Sequence, residues 1–307
     1  MKAGRFILCP GFPEPVMIEK INDKISVVLT EEGFLSSNCV MVADGGWLAI
    51  DSGAGKILRE VSPEKARTLL LSHHHLDHIN GNDLFVNARI YAHPLEREAM
   101  MHPEKTTATS GWQDLMGDDI MNHVQQLGGV RPRILEPWES HEDLYDGMEI
   151  RAGGTLITVL HTPGHTAGHC SFHFPEEGFV FTGDICLTKV GPWYGDPDVD
   201  VDGFLDSIKK IIALKPKKLA TGHLTGVLDS DIEKRLTEYG DRIYRREKRI
   251  LKLLAEGPMT INELADRKPI YPLHPTTFVL FWEKSMIKKH LERLVKNGLA
   301  EEVGNGN

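Results

Sequence analysis

The segment LSHHHLDHINGN, residues 71–82, places four histidines and an aspartate within six positions, directly after the apolar run TLLL. Imidazole and carboxylate groups are the side chains that bind divalent transition metals through nitrogen and oxygen. The spacing is H-x-H-x-D-H, carried by His73, His75, Asp77 and His78. Alternate residues of an extended segment point the same way, so His73 and His75 can grip one ion together. Asp77 and His78 fall on the following turn and can face a second ion, while His74 is the odd one out and is expected to point away. The INGN that follows suits a turn and a helix start close to the site.

Other apolar runs also end on metal-type residues. Asp51 ends WLAID, His161 and His165 follow TLITVL, Asp184 ends GFVFTGD, and His223 ends KKLATGH. Strand ends meet at one edge of a sheet, which is where α/β proteins place their sites. One such ending is ordinarily a hydrogen-bonded turn residue, but five together, one of them a dense cluster, point to a built site. The remaining histidines take plainer roles. His161 is expected to hold the HTPGH loop, His169 to support it, and His93, His102, His123, His141 and His173 to lie on loops or the surface. Cys186, two residues beyond Asp184, reads as a buried inert thiol.

The elements that must position these groups can be read from hydrophobic periodicity. KISVVLT is a strand, and NCVMVADGGWLAIDSG is two strands around an ADGG turn. KILREVSPEKART has helical composition, broken by Pro63. TLLLS and ARIYAH are further strands. The stretch from Pro94 to Leu127, with Met100, Met101, Trp112, Met116 and Met121, is helical or loop-like and ends at Gly128 and Gly129. TLITVLH and HCSFHF flank the TPGHTAG turn, and VDGFLDSIKKIIALK is a helix between the GFVFTGD and KKLATGH strands. From about Ser230 the texture changes to charged helical periodicity, with Ile243, Ile250, Leu251 and Leu254 on one apolar face. Thr260 with Glu263 forms a capping box, and Gly298 stops a last helix. The expected division is therefore a catalytic domain over 1–230 and a small winged-helix-like domain over 231–307.

Composition sets bounds on class. A chain of 307 residues with 41% hydrophobic residues can bury a sizeable core. Cys9, Cys39, Cys170 and Cys186 show no paired spacing, which argues against a zinc ribbon or a disulfide framework. No apolar run approaches the roughly 20 residues needed to span a bilayer, and the N-terminus is a poor signal peptide. The expectation is a cytoplasmic protein with no membrane partner. The net charge of −9 lies in the first part of the chain, and the tail is slightly basic.

The motif set as a whole, AIDSG, H-x-H-x-D-H, HTPGHTAG, TGD and TGH in this order over about residues 24–230, resembles the metallo-beta-lactamase superfamily. The resemblance implies an α+β fold, a four-layer αβ/βα sandwich with two sheets inside and helices outside. It implies that His73, His75 and His165 hold a first metal, that Asp77, His78 and His223 hold a second, and that Asp184 bridges them. Asp51 would orient a ligand from behind. Two divalent ions are implied, zinc first, with iron or manganese as alternatives, together with a hydroxide between them that attacks the substrate, a bound water or a freed Asp77 returning the proton.

A shared site does not fix the substrate. The favoured reading is hydrolysis of a small ester, thioester or lactone, with Trp112, Trp193 and Tyr194 walling the cleft. Leu187 stands where quorum-quenching lactonases place a tyrosine, and the tail differs from the glutathione-binding tail of glyoxalase II-type thioesterases. The tail resembles instead the winged-helix extension of an endoribonuclease-like branch. The alternatives are therefore an endoribonuclease or phosphodiesterase whose Lys284, Lys288, Lys289 and Arg293 meet RNA, a mononuclear iron persulfide dioxygenase, and a nucleic-acid-binding regulator. A small-molecule substrate is the expected partner, nucleic acid is the second candidate, and a homo-oligomer is compatible with the sequence.

Overall fold

The computed structural model describes residues 17–30, 36–103, 111–117 and 137–303. Cys9, Met121, His123, Gly128 and Gly129 lie outside the described residues. Seven strands form one sheet in the order β1-β2-β3-β4-β5-β6-β7. These are Met17–Lys20, Ile25–Leu29, Cys39–Ala43, Trp47–Ile50, Thr68–Leu70, Arg89–Ala92 and Glu142–Asp143. The first four are antiparallel, and β4 to β7 run parallel. The second sheet has the order β12-β11-β10-β9-β8. Its strands are β8 (Glu149–Ala152), β9 (Thr155–His161), β10 (Cys170–Phe174), β11 (Phe179–Phe181) and β12 (Lys218–Ala220), with only β11 and β12 parallel.

Side-chain alternation sorts each strand between two faces. Val27, Val40, Val42, Leu48, Ile50 and Leu70 of the first sheet meet Ile157, Val159, Phe172, Phe174, Phe179 and Phe181 of the second. This inter-sheet core is closed to solvent, and each buried ring contributes roughly 1.5–3 kcal/mol. The opposite face of the first sheet carries Val28, Met41, Ala49 and Leu69. It packs on Leu58, on Ile79 of helix α1 (Leu76–Ile79) and on Met100 of α2 (Arg97–Met101). A five-residue helix, α3 (Trp112–Met116), follows.

Leu160, Val180 and Leu219 face outward from the second sheet onto α4 (Val201–Ala213), which buries Phe204, Leu205, Ile208 and Ile211. The layers are thus helix, sheet, sheet, helix. The same outer cluster continues into α5 (Ile232–Leu254), α6 (Ile261–Asp266) and α7 (Thr277–Lys296) through Leu236, Ile243, Leu264, Met286 and Leu294. The C-terminal helices therefore share a core with α4. Thr260 and Glu263 form the expected capping box, and Gly298 takes the left-handed φ of 68° after α7. No strand follows Ala220 among the described residues, so a β-wing is not among them. Among the described residues, no helix is long and apolar enough to cross a membrane.

Two expectations are refined. The segment KILREVSPEKART forms two short 3-10 helices, Gly55–Val61 and Pro63–Lys65, rather than an α-helix. Ser62, in left-handed conformation before Pro63, separates them, and the restriction proline places on the residue before it disfavours a continuous α-helix there. Strands β1, β7 and β8 have no counterpart in the sequence reading, since MIEK, ED and EIRA are too short and polar to show a period.

Candidate metal centre

Strands β4, β5, β9, β11 and β12 end at Ile50, Leu70, His161, Phe181 and Ala220, and the loops beyond them converge. One donor atom each from His73, His75 and His165 lies within 4.8 Å of the others, and so do those of Asp77, His78 and His223. Asp184 sits between the two groups. Its Oδ2 is 3.1 Å from His165 Nε2, while its Oδ1 is 3.1 Å from His78 Nε2 and 3.2 Å from His223 Nε2. Asp77 Oδ2 lies 3.3 Å from His223 Nε2 and 3.5 Å from His78 Nε2. All seven residues that the resemblance implies as ligands are brought together.

The local backbone is built for this approach. His75 is the extended residue before α1, so the chain turns directly after the His73 and His75 pair and carries Asp77 and His78 onto the first helical turn. A Cβ on Gly222 would stand 2.8 Å from both Asp184 Oδ1 and His78 Cε1, so only glycine fits there beside His223. Asp51 has φ 59°, a conformation costing roughly 1–3 kcal/mol in a non-glycine residue. Hydrogen bonds hold it there: its carboxylate accepts from Ser72 N at 2.7 Å and Ser72 Oγ at 2.8 Å, and faces His78 Nδ1 at 2.8 Å.

The backs of three of the imidazoles are engaged, His78 by Asp51 as above. His73 Nδ1 meets Ser72 Oγ at 2.9 Å, and His165 Nδ1 meets the carbonyl of Trp193 at 3.2 Å. That leaves the facing nitrogens to the centre. His73 Nε2, His78 Nε2 and Asp184 Oδ1 are buried without a hydrogen bond. Buried polar atoms are almost always satisfied, so three orphans spread over the two histidine groups and the aspartate between them fit the coordination of cations. His161 holds its loop through Nε2 to the Ala167 carbonyl at 2.9 Å. His169 Nε2 accepts from Asp184 N at 3.0 Å, which fixes the backbone of that aspartate.

Electrostatics divides the histidines into two sets. Burial, aided by the imidazoles of His78, His75 and His165, holds His73 well below the usual range. Burial does the same for His165 despite Asp184. Burial and His74 bring His75 to about 3. These three are neutral, the form that donates a lone pair. Burial opposes charge on His78 too, but Asp184, Asp77 and Asp51 outweigh it and raise it to about 10. His223 is likewise raised against its burial, chiefly by Asp184. Asp184 is held well below the carboxylate range against its burial, by His223 foremost. Without metal the second set is thus a cluster of histidinium and carboxylate. Imidazole nitrogen with a central carboxylate is a donor set that suits zinc, iron or manganese.

The family model for the metallo-beta-lactamase superfamily matches residues 33–223. The chain belongs to that superfamily. Relatives in it include a beta-lactamase-like protein 2 homolog of Caenorhabditis elegans, 31% identical over 156 residues, which are 51% of this chain and 50% of the worm protein. An atrochrysone carboxyl ACP thioesterase of Aspergillus chevalieri is 27% identical over 196 residues, 61% of this chain and 58% of the fungal one. The chain thus spans little more than half the length of either. A metallo-beta-lactamase family protein from Thermus thermophilus has the same fold, with a TM-score of 0.70 at 23% identity, covering 93% of this chain and 97% of that one.

The superfamily fold does not extend the cleft to every aromatic residue expected there. Trp193 does stand at the centre, its ring 5.5 Å from that of His75 and 5.2 Å from that of His165. Trp112 and Tyr194 do not wall it. Trp112 is 1% exposed and packs on Phe278 and Phe281 of α7. Tyr194 is fully buried, with its hydroxyl 2.8 Å from His290 Nε2 and 3.2 Å from Arg246. Of this adjacent pair, only Trp193 reaches the histidines.

Sequence reasoning missed three supporting residues. Ser72 links Asp51, His73 and His78; Glu96 contacts both histidine loops; Arg246 holds the loop that carries Trp193. Only Ser72, adjacent to the cluster, carried any signal in the sequence. Glu96 and Arg246 sit within charged helical segments and look like solvated surface.

Proposed function

We propose that this chain is a two-metal hydrolase acting on a small ester, thioester or lactone. The observation that supports this best is the place of Asp184, whose two oxygens face one histidine group each. His73, His75 and His165 would hold one ion, Asp77, His78 and His223 the other, and Asp184 both. When bound, such ions supply Lewis acidity toward a carbonyl oxygen and acidify water toward neutral pH.

The chain's own residues would prepare and steer that chemistry. Asp51 faces His78 Nδ1, which fixes the tautomer that leaves Nε2 free. The Trp193 carbonyl does the same for His165. Asp77 is more open than Asp184, with 17% of its side chain exposed against 10%, so it is placed to take the proton released by the attacking water and pass it to the departing alcohol or thiol. The Trp193 ring would cover one side of the reacting carbonyl and exclude water from it. The thioesterase relative supports acyl chemistry over phosphoryl transfer.

Three of the four tail cations expected to meet nucleic acid have protein partners. Lys284 donates to the Leu115 carbonyl at 2.8 Å, Lys289 to the Pro197 carbonyl at 2.6 Å, and Arg293 to Glu247 and Asp202. Those contacts favour the reading of the tail as part of the catalytic body.

A panel of acyl thioesters, aryl esters, lactones and short RNAs tests the proposal, run with the parent and with Asp77→Asn. Turnover of an acyl substrate, reduced in the variant, is expected. Cleavage of RNA alone, or equal rates in both proteins, contradicts it.

A further inference from the structure

Glu96 is a carboxylate only 1% exposed. A charge so placed is costly unless every lone pair is used. Here both oxygens are. Oε2 accepts from the backbone N–H of His74 at 2.9 Å and faces His74 Nδ1 at 2.5 Å. Oε1 accepts from Thr166 Oγ1 at 2.7 Å and from Gly168 N at 2.6 Å.

Those partners are not a random set. His74 is the residue between His73 and His75, and Thr166 directly follows His165. One side chain therefore ties the segment presenting the histidine pair to the segment presenting the third histidine, which lies 90 residues further along the chain. Gly168 leaves the room this needs, since a Cβ there would stand 2.6 Å from Oε1. Glu96 itself is held at the junction of a 3-10 turn, Pro94–Glu96, and α2. The outcome at the centre is that His75 Nδ1 and His165 Nε2 stand 2.9 Å apart. Two nitrogens that must both turn lone pairs to one cation would drift apart if their loops were free.

We propose that Glu96 is a positioning residue that sets the spacing of the His73, His75 and His165 triad by clamping its two loops, with His74 as the other jaw. His74 thus points away from the metals, as its place in the spacing requires, but it is not idle. The proposal rests on the reading that this triad holds a metal. It makes a specific demand: the clamp acts on one of the two sites. Asp77, His78 and His223 make no contact with Glu96 and are supported instead by Asp51 and by Asn38, which donates to the Thr221 carbonyl at 2.9 Å.

The test is titration of the metal-free full-length chain with cobalt(II), followed by its visible absorption and by competition with a chromogenic chelator. The parent, Glu96→Gln, Thr166→Val and His165→Ala are compared. Glu96→Gln keeps the size but turns donors toward Gly168 or Thr166. It should bind one of two cobalt ions 10- to 100-fold more weakly, the range for supports of metal ligands. The ion weakened should be the one whose absorption is lost in His165→Ala. Thr166→Val removes one donor with little risk to folding and should weaken the same ion by a smaller factor. Parent-like affinities in both variants, or equal weakening of both ions, would overturn the proposal. A parent that binds one cobalt ion or none, or that is unaffected by His165→Ala, would instead sink the two-metal reading beneath it.

Discussion

The carboxylate of Asp51 lies 2.8 Å from His78 Nδ1, and both side chains are completely buried. Asp51 directly follows β4, and His78 is in the first turn of α1, so this one contact joins the sheet to the histidine cluster. Removing a support of this kind typically costs 10- to 100-fold in metal affinity or activity. Asp51→Ala is expected to fall in that range, and Asp51→Asn less far, because the amide still offers an oxygen. Isothermal titration with zinc measures it. Unchanged affinity in Asp51→Ala would show that the contact is incidental.

Arg246 is 2% exposed and donates to the carbonyls of Pro192 at 2.5 Å and Val190 at 3.1 Å. It therefore fastens, from α5, the loop whose next residue is Trp193. Arg246→Ala leaves the buried Pro192 carbonyl unpaired, removes the bond to the Val190 carbonyl, and should destabilise the chain by about 1–3 kcal/mol. Arg246→Lys keeps the charge but cannot fork between two acceptors and should recover only part of the loss. Urea unfolding measures both, and equal stability of parent and Arg246→Ala would contradict the role.

Trp193 is the aromatic residue that reaches the centre. Trp193→Ala should raise KM for an acyl substrate several-fold while leaving zinc binding within a factor of about 3, because the carbonyl that meets His165 belongs to the backbone. Steady-state kinetics against metal titration separates the two. A loss of metal with no change in KM would place the indole with the ligand supports rather than with the substrate.

Acidity at the second histidine group gives a pH dependence with a definite sign. Burial disfavours charge on His78, yet Asp184, Asp77 and Asp51 raise it to about 10 from the ordinary histidine value of 6.5. A group raised on folding adds stability that is complete below its unfolded pKa and is lost as pH rises through the folded one. Metal-free protein should therefore melt at lower temperature at about pH 10 than at about pH 6.5, and His78→Asn should flatten that dependence. Metal displaces the same proton, so loading near neutral pH should release acid into an unbuffered solution. A pH-independent melt of the metal-free chain would contradict the assignment of charge.

The site was more legible than its supports. Ligand-type residues at strand ends announce themselves because histidine and aspartate interrupt apolar runs, and the H-x-H-x-D-H spacing maps directly onto an extended segment followed by a helix. Strands β4, β5, β9, β11 and β12 were legible for the same reason. Glu96 and Arg246 were not, because their partners are backbone groups and residues far along the chain, which leave no local pattern. Trp112 and Tyr194 misled because an aromatic residue near a site reads alike whether it faces the cleft or the core. Only the packing of α5 and α7, set by long-range contacts, decides between them.

Counting metal in the parent and in Asp184→Ala, by mass spectrometry of protein dialysed against zinc, tests the two-metal reading most directly. Two ions per chain are expected in the parent. In Asp184→Ala at least one should be lost, since a residue facing both groups at 3.1–3.2 Å is removed. One ion or none in the parent, or two ions held as firmly without Asp184, would contradict it.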